Sequence, residues 1–200
     1  VIGFRHRLSK YALGVRLAIH SYGLEGARDA VRAGANSVEH AVELDDATLA
    51  EMKRRGVLAE LEAFDTGMIN YAKYLERKGL IEPPHYFNLL LGNIACAQAD
   101  LLHAGVMVRD LPSQSYWSFA GIGDAQLMMN TLSIAAGGGV RVGLEDNIWY
   151  DRRRTRLARN IDLVRRIHQL AEILERPIMR PQKLRELLNL EPGNGRYGRV

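Results

Sequence analysis

The residues of this chain best suited to chemistry fall at the ends of short apolar runs. The densest set is Arg141-Val-Gly-Leu-Glu-Asp-Asn147, which follows three glycines. On an extended strand Arg141, Gly143 and Glu145 share one face, with Asp146 at the tip. An arginine there offers a bidentate clamp for a carboxylate, and a glutamate is a hard metal ligand. An aspartate in the same place is a base whose strength neighbouring charges can tune. The bland alternative is a structural Arg–Glu–Asp network, which perturbs ionisation without catalysing anything. Two histidines, His20 and His40, each close an apolar run. Alone, each can be a satisfied core residue, but at the tips of adjacent parallel strands they would lie ~5 Å apart at the backbone, close enough to share one metal ion. Glu60 and Glu62 share the face of a further run, with Asp65 at its tip. Inside a barrel such carboxylates need a partner or a metal, and on an edge strand they face solvent. Cys96 reads as a small buried hydrophobe, and His85, His103 and His168 have no zinc-type spacing and read as structural.

The elements that must position these groups alternate in type. Short apolar runs at 15–20, 37–42, 57–64, 85–91, 115–122 and 140–144 read as strands. Between them, helical periodicity covers 24–33, 47–55, 68–78, 95–108 with a turn near Gly105, and 125–136. Each pair spans roughly 25–30 residues, the rhythm of βα units feeding a parallel sheet. Asp45-Asp46 is placed to cap one helix, Asn160 to cap a long one running to about residue 175, and Pro181 to open a short last helix. The expectation is an α/β fold: a TIM-type (βα)8 barrel, incomplete or composite, with about six βα units plus C-terminal helices, where a closed barrel takes ~250 residues. An open doubly wound sheet is the fallback. Gly121-Ile-Gly123 lacks a third glycine, so a dinucleotide site is not expected.

Composition narrows the partners. The 200 residues carry 27 Lys+Arg against 23 Asp+Glu and 47% hydrophobic residues, an ordinary globular balance that excludes a disordered or collagen-like chain. The apolar stretches break well before the ~20 residues of a membrane span. The excess positive charge sits in Arg152-Arg-Arg-Thr-Arg156 and Arg165-Arg166 without interleaved aromatics. That pattern fits a solvated face or an anion contact and argues against nucleic acid. The single cysteine cannot form an internal disulfide, and no charged stretch followed by an apolar one opens the sequence. A reducing, cytoplasmic setting is expected. Val1 in place of Met predicts a fragment or a processed product.

Several blocks carry a resemblance. Glu60-Leu-Glu-Ala-Phe-Asp-Thr-Gly-Met68, Gly79-Leu-Ile-Glu-Pro-Pro84, Tyr86-Phe-Asn-Leu-Leu-Leu-Gly-Asn93, Trp117-Ser-Phe-Ala-Gly-Ile-Gly123 and Gly138-Gly-Val-Arg-Val-Gly-Leu-Glu-Asp-Asn147 resemble the C-terminal half of the β-keto acid cleavage enzymes. These are zinc-dependent barrels, and the likeness runs over about residues 57–190. The resemblance implies transfer between a β-keto acid and acetyl-CoA, giving acetoacetate and a new acyl-CoA. By position it implies Glu145 as a zinc ligand, Asp146 as the acid/base and Arg141 as the group that orients Asp146 or the keto acid. That family also uses an early His-x-His pair, and none occurs here.

Residues 14–56 are instead similar to metal-dependent amidohydrolases, through Gly14-Val-Arg-Leu-Ala-Ile-His20-Ser-Tyr-Gly23, Ala33-Gly-Ala-Asn-Ser-Val-Glu-His40 and Leu44-Asp-Asp46. Together the likenesses imply one composite barrel-type domain over 1–200, joined near Gly56. If His20 and His40 stand in for the missing pair, they complete a His2Glu zinc set with Glu145. Zn2+ is the expected cofactor, acetyl-CoA the co-substrate, a small molecule the substrate and a homo-oligomer the expected state. Two other readings stay open. One is an amidohydrolase-type hydrolase using His20 and His40, which would turn over amides or esters without CoA. The other is a catalytically inactive half-barrel that associates through its open edges.

Overall fold

Alternating burial along short extended segments, separated by helices with one apolar face, builds a parallel architecture. The computed structural model describes residues 18–21, 23–32, 37–40, 45–54 and 58–190. The chain falls into two compact units, Val1–Leu58 with Leu190–Val200, and Ala59–Asn189.

In the first unit, β1 (Ala18–Ser21) and β2 (Ser37–His40) pair in parallel, joined through α1 (Leu24–Arg32). Ala27, Ala30 and Val31 form the buried stripe of α1. The next helix, α2 (Asp46–Arg54), begins where Asp45 accepts a hydrogen bond from the Thr48 amide at 2.8 Å, the cap that the acidic pair predicts. Thr48, together with Arg28, holds the Asp45 carboxyl down to about 2. The remainder of the expected 15–20 and 37–42 strands lies outside the described residues.

In the second unit the order is β3 (Glu60–Ala63), α3 (Thr66–Arg77), β4 (His85–Leu91), α4 (Leu101–Asp110), β5 (Ser115–Gly121), a single 3-10 turn at Gly123–Ala125, α5 (Gln126–Ala135), β6 (Gly139–Val140), α6 (Asn160–Ile173) and α7 (Pro181–Leu187). The four strands form one parallel sheet in the order β3-β4-β5-β6. This is the α/β arrangement of a partial TIM-type barrel. Period-2 alternation divides the sheet into two faces. Ala63, Phe87, Leu89, Leu91 and Phe119 pack with Ile69 and Ala72 of α3, Ala104 and Met107 of α4, and Met129 of α5. Each large side chain buried there contributes about 1.5–3 kcal/mol. The other face, by register, carries Glu60, Glu62, Tyr86, Asn88, Tyr116 and Ser118.

Four expectations need correction. The helix expected at 95–108 begins only at Leu101, because Asp100 caps it by accepting from the His103 amide at 2.8 Å. Gly105, expected at a turn, sits inside that helix. The strand expected at 140–144 is two residues long, since the chain leaves the ladder after the Arg141 amide donates to the Phe119 carbonyl at 3.1 Å. Asn160 does not cap α6. Its Oδ1 accepts from the Leu144 amide at 3.0 Å, and Arg159 holds the cap position. Pro181 opens α7 as expected. Gly138 is required by close approach, because a Cβ there would fall 2.2 Å from the Trp117 ring. Among the described residues no helix is long and apolar enough to cross a membrane.

Candidate active site

The site begins with a departure from the sheet. Beyond β6, the carbonyls of Arg141 and Gly143 have no partner strand, and side chains of α5 take that place. Asn130 Nδ2 donates to the Arg141 carbonyl at 2.9 Å and to the Phe119 carbonyl at 3.2 Å, while Gln126 Nε2 donates to the Gly143 carbonyl at 2.9 Å. One turn further along α5, Ser133 Oγ donates to the Gly139 carbonyl and accepts from the Phe119 amide. All three side chains are buried. A backbone carbonyl left without its donor in this partly buried setting would cost up to about 1–3 kcal/mol, so this stripe fixes the path of residues 139–143. Gln126, Asn130 and Ser133 recur at i, i+4 and i+7. That polar stripe on an otherwise apolar helix is the signal through which sequence reasoning could have found them.

Held this way, the chain turns at 144–146 and brings three acidic side chains to one guanidinium. Arg141 Nη1 pairs with Glu62 of β3, Nη2 lies 3.0 Å from Glu145, and Nε lies 3.4 Å from Asp146. The sequence places Arg141 and Glu145 together through a shared strand face. The structure joins them through a turn, with the Asn147 amide donating to the Gly143 carbonyl at 3.3 Å. Their accessibilities differ sharply: the Glu145 side chain is 74% exposed, that of Asp146 only 5%. Burial pushes the Asp146 carboxyl above the usual range, Arg141 opposes this, and the Glu145 and Glu62 charges add to it. For Arg141, burial works against the charge, and the three carboxylates outweigh it and raise the guanidinium. Asp146 also accepts, through its backbone carbonyl, from the Gly123 amide at 2.8 Å, which ties it to the turn after β5.

Beside this cluster, a second polar group crosses the sheet. Ser118 donates to Asn88, and Asn88 donates to Glu60. Burial raises the Tyr86 phenol, a hydrogen bond with Ser118 lowers it, and the Glu60 charge raises it. Both acidic residues of β3 are thus engaged, Glu60 with Asn88 and Glu62 with Arg141. Asp65 is spent on structure, accepting from the Met68 amide at 2.9 Å to cap α3.

His20 and His40 belong to the other unit. In the β1–β2 register His20 stands opposite Glu39, and His40 opposite Ser21, so the histidines are offset by one residue. Their side chains lie outside what the structure describes.

A family model described as beta-keto acid cleavage enzyme matches residues 22–190. The chain belongs to this family. The match takes in His40 and Asp45-Asp46, which the sequence places by resemblance in an amidohydrolase-type segment. A 3-keto-5-aminohexanoate cleavage enzyme of Fusobacterium nucleatum is 40% identical over 139 residues, covering 68% of this chain and 49% of the relative. A 3-dehydrocarnitine:acetyl-CoA trimethylamine transferase of Rhizobium meliloti is 38% identical over 146 residues, covering 71% and 48%. A 3-oxoadipate:acetyl-CoA acetyltransferase of Cupriavidus necator is 34% identical over 151 residues, covering 74% and 53%. The chain spans about half the length of the curated relatives it matches.

The family resemblance implies zinc; of the three donors the sequence offers, Glu145 is an accessible carboxylate beside Arg141, and the side chains of His20 and His40 lie outside what the structure describes. Among the described residues no three His, Cys, Asp or Glu side chains are arranged to hold a metal ion. Glu62, Glu145 and Asp146 converge on a guanidinium, which already supplies positive charge where a cation would be drawn.

Proposed function

We propose that this chain carries the acid/base part of an acetyl-CoA-dependent β-keto acid cleavage site. The observation that carries this reading is the convergence on Arg141 of one buried and two accessible carboxylates. In the reaction proposed, the C2–C3 bond of the keto acid breaks, its acyl end passes to CoA, and the acetyl group joins the remaining two-carbon carboxylate to give acetoacetate. Asp146 is the proton acceptor and donor. Its buried position and raised proton affinity favour exchange of a proton over permanent ionisation. Arg141 keeps Asp146 oriented and provides positive charge for the substrate carboxylate or for the negative charge that grows as the C–C bond changes. Glu62 and Glu145 fix the guanidinium plane between them.

The test is to incubate the protein with acetyl-CoA and a panel of 3-keto-5-aminohexanoate, 3-dehydrocarnitine and 3-oxoadipate, the compounds in the relatives' names. Appearance of acetoacetate and a new acyl-CoA in equal amounts is the expected result. Folded protein that forms neither from any of them removes the reading. Zinc is measured separately, as metal per chain in the parent, Glu145→Ala and His40→Ala. Loss of about one zinc in a variant supports the substituted residue as a donor, and a zinc-free active parent removes both.

A further inference from the structure

The run of arginines after the acidic cluster is neither a helix face nor a disordered tail. It is the tip of a closed loop. Asn147 pins the entry by pairing its side chain with both the amide and the carbonyl of Trp149, each at 3.0 Å. Trp149 and Leu157 form an antiparallel bridge, the Tyr150 amide donates to the Arg156 carbonyl at 2.9 Å, and the Ala158 amide donates to the Ile148 carbonyl at 2.8 Å. Asp151 is the acidic residue within this loop, and it is occupied as a turn acceptor for the amides of Thr155 and Arg156. Those backbone bonds outweigh burial and hold its carboxyl below the ordinary range.

The arginines divide by what they do. Arg156 and Arg166 both lie against the Tyr150 ring, at 4.4 and 4.5 Å from its centroid, and Arg166 also donates to the Tyr150 carbonyl. Arg154 adopts a positive φ of 58° and reaches Asp124 at 3.2 Å. Asp124 belongs to the same 3-10 turn whose Gly123 amide holds Asp146, so the loop is anchored to the acid/base cluster. Arg152 and Arg153 are exposed, and among the described residues their guanidiniums have no hydrogen-bond or carboxylate partner. Adjacent unpaired guanidiniums repel one another, and a loop that presents them on a fixed backbone beside an active site is preorganised for a multiply charged anion.

We propose that Arg152 and Arg153 form a recognition site for the phosphate groups of the acyl-CoA donor. This rests on the reading under Proposed function and extends it to the donor's far end. In an acyl-CoA the long pantetheine arm separates the thioester from the diphosphate and the 3′-phosphate. A donor whose thioester is at Asp146 therefore carries its phosphates away from the acidic cluster, toward a neighbouring positive surface. The opposite charges of the two places also sort the donor's ends, because the carboxylates around Arg141 repel phosphate and the arginine loop attracts it.

The test measures equilibrium binding of CoA, dephospho-CoA and inorganic phosphate to the full chain and to an Arg152→Gln/Arg153→Gln double variant with an unchanged thermal midpoint. CoA binding is expected to weaken about tenfold or more in the variant, as loss of charge-assisted hydrogen bonds requires. An Arg152→Lys/Arg153→Lys variant is expected to recover part of that loss. A dephospho-CoA affinity equal to that of CoA supports contact through the diphosphate, and a weaker one supports contact through the 3′-phosphate. Equal CoA affinity in parent and Gln variant overturns the proposal, as does inorganic phosphate binding to the parent as tightly as CoA. Failure of the two readings is separable. Arginine-dependent CoA binding without keto acid cleavage would sink the proposed reaction and leave this site standing, whereas cleavage with an unchanged KM for acetyl-CoA in the Gln variant does the reverse.

Discussion

Arg141, one residue beyond β6, and Glu62 of β3 form an ion pair across the polar face of the sheet, although β4 and β5 lie between their strands. Strands spaced by ~4.8 Å would put the first and last of four about 14 Å apart on a flat sheet, so the pair acts as a strap over the ends of the inner strands. Arg141→Ala removes the strap and leaves Glu62, Glu145 and Asp146 facing one another. Stability is expected to fall by about 1–3 kcal/mol, less than for a fully buried pair because Glu62 and Glu145 reach water. Urea denaturation checks this, and a variant as stable as the parent would show that the strap carries no load.

Asp146→Asn keeps the shape and removes the proton-accepting oxygen. Turnover of keto acid is expected to drop a hundredfold or more with little change in KM, the size usual for loss of a general acid/base. Steady-state kinetics on folded variant decides it, and parental turnover would assign Asp146 to structure alone.

Asn130→Leu and Gln126→Leu test the substitute ladder. Each leaves a partly buried backbone carbonyl without its side-chain donor, so each is expected to cost up to about 1–3 kcal/mol. Amide exchange should speed up selectively at residues 139–147. Uniform change across the second unit would mean that the two side chains stabilise the helix core generally and not the site.

At the start of α6, Asp162 is held by Arg159 at 2.8 Å and by Arg156 at 3.4 Å, which lowers its carboxyl from 3.8 to about 2. A carboxyl depressed in the folded state stabilises above its unfolded value and loses that stabilisation as pH falls. The contribution is therefore present above pH 3.8 and lost as pH drops toward about 2. Thermal midpoints of the parent and Asp162→Asn should differ at neutral pH and converge in that acid window. Parallel curves would assign the pair no role.

Much of this was legible in the sequence because it is local. Asp45-Asp46 and Pro181 mark element starts through backbone chemistry that acts within a few residues, whereas Asp65, read as a carboxylate at a strand tip, proves to cap α3. The gathering of Arg141, Glu145 and Asp146 followed from six neighbouring positions. The reason they gather did not, because strand periodicity predicts a shared face where the chain in fact turns. The turn depends on Gln126, Asn130 and Asn160, whose bonds reach across 11 to 17 residues. Glu62 lies 79 residues from Arg141, and no periodicity links such positions. Asn160 looked like a cap because its type and place before a helix suit one, yet the loop competed for its oxygen and won.

Gln126 and Asn130 also work as a gauge. One helical turn of four residues rises about 6 Å, and a two-residue extended step advances about 6.6 Å, so the carboxamides meet alternate carbonyls almost in phase. Inserting one residue between them swings the first by about 100° out of alignment. An insertion in the arginine loop disturbs neither. A length change within 126–143 therefore displaces the reacting groups from one another, whereas one within 148–158 leaves their spacing calibrated.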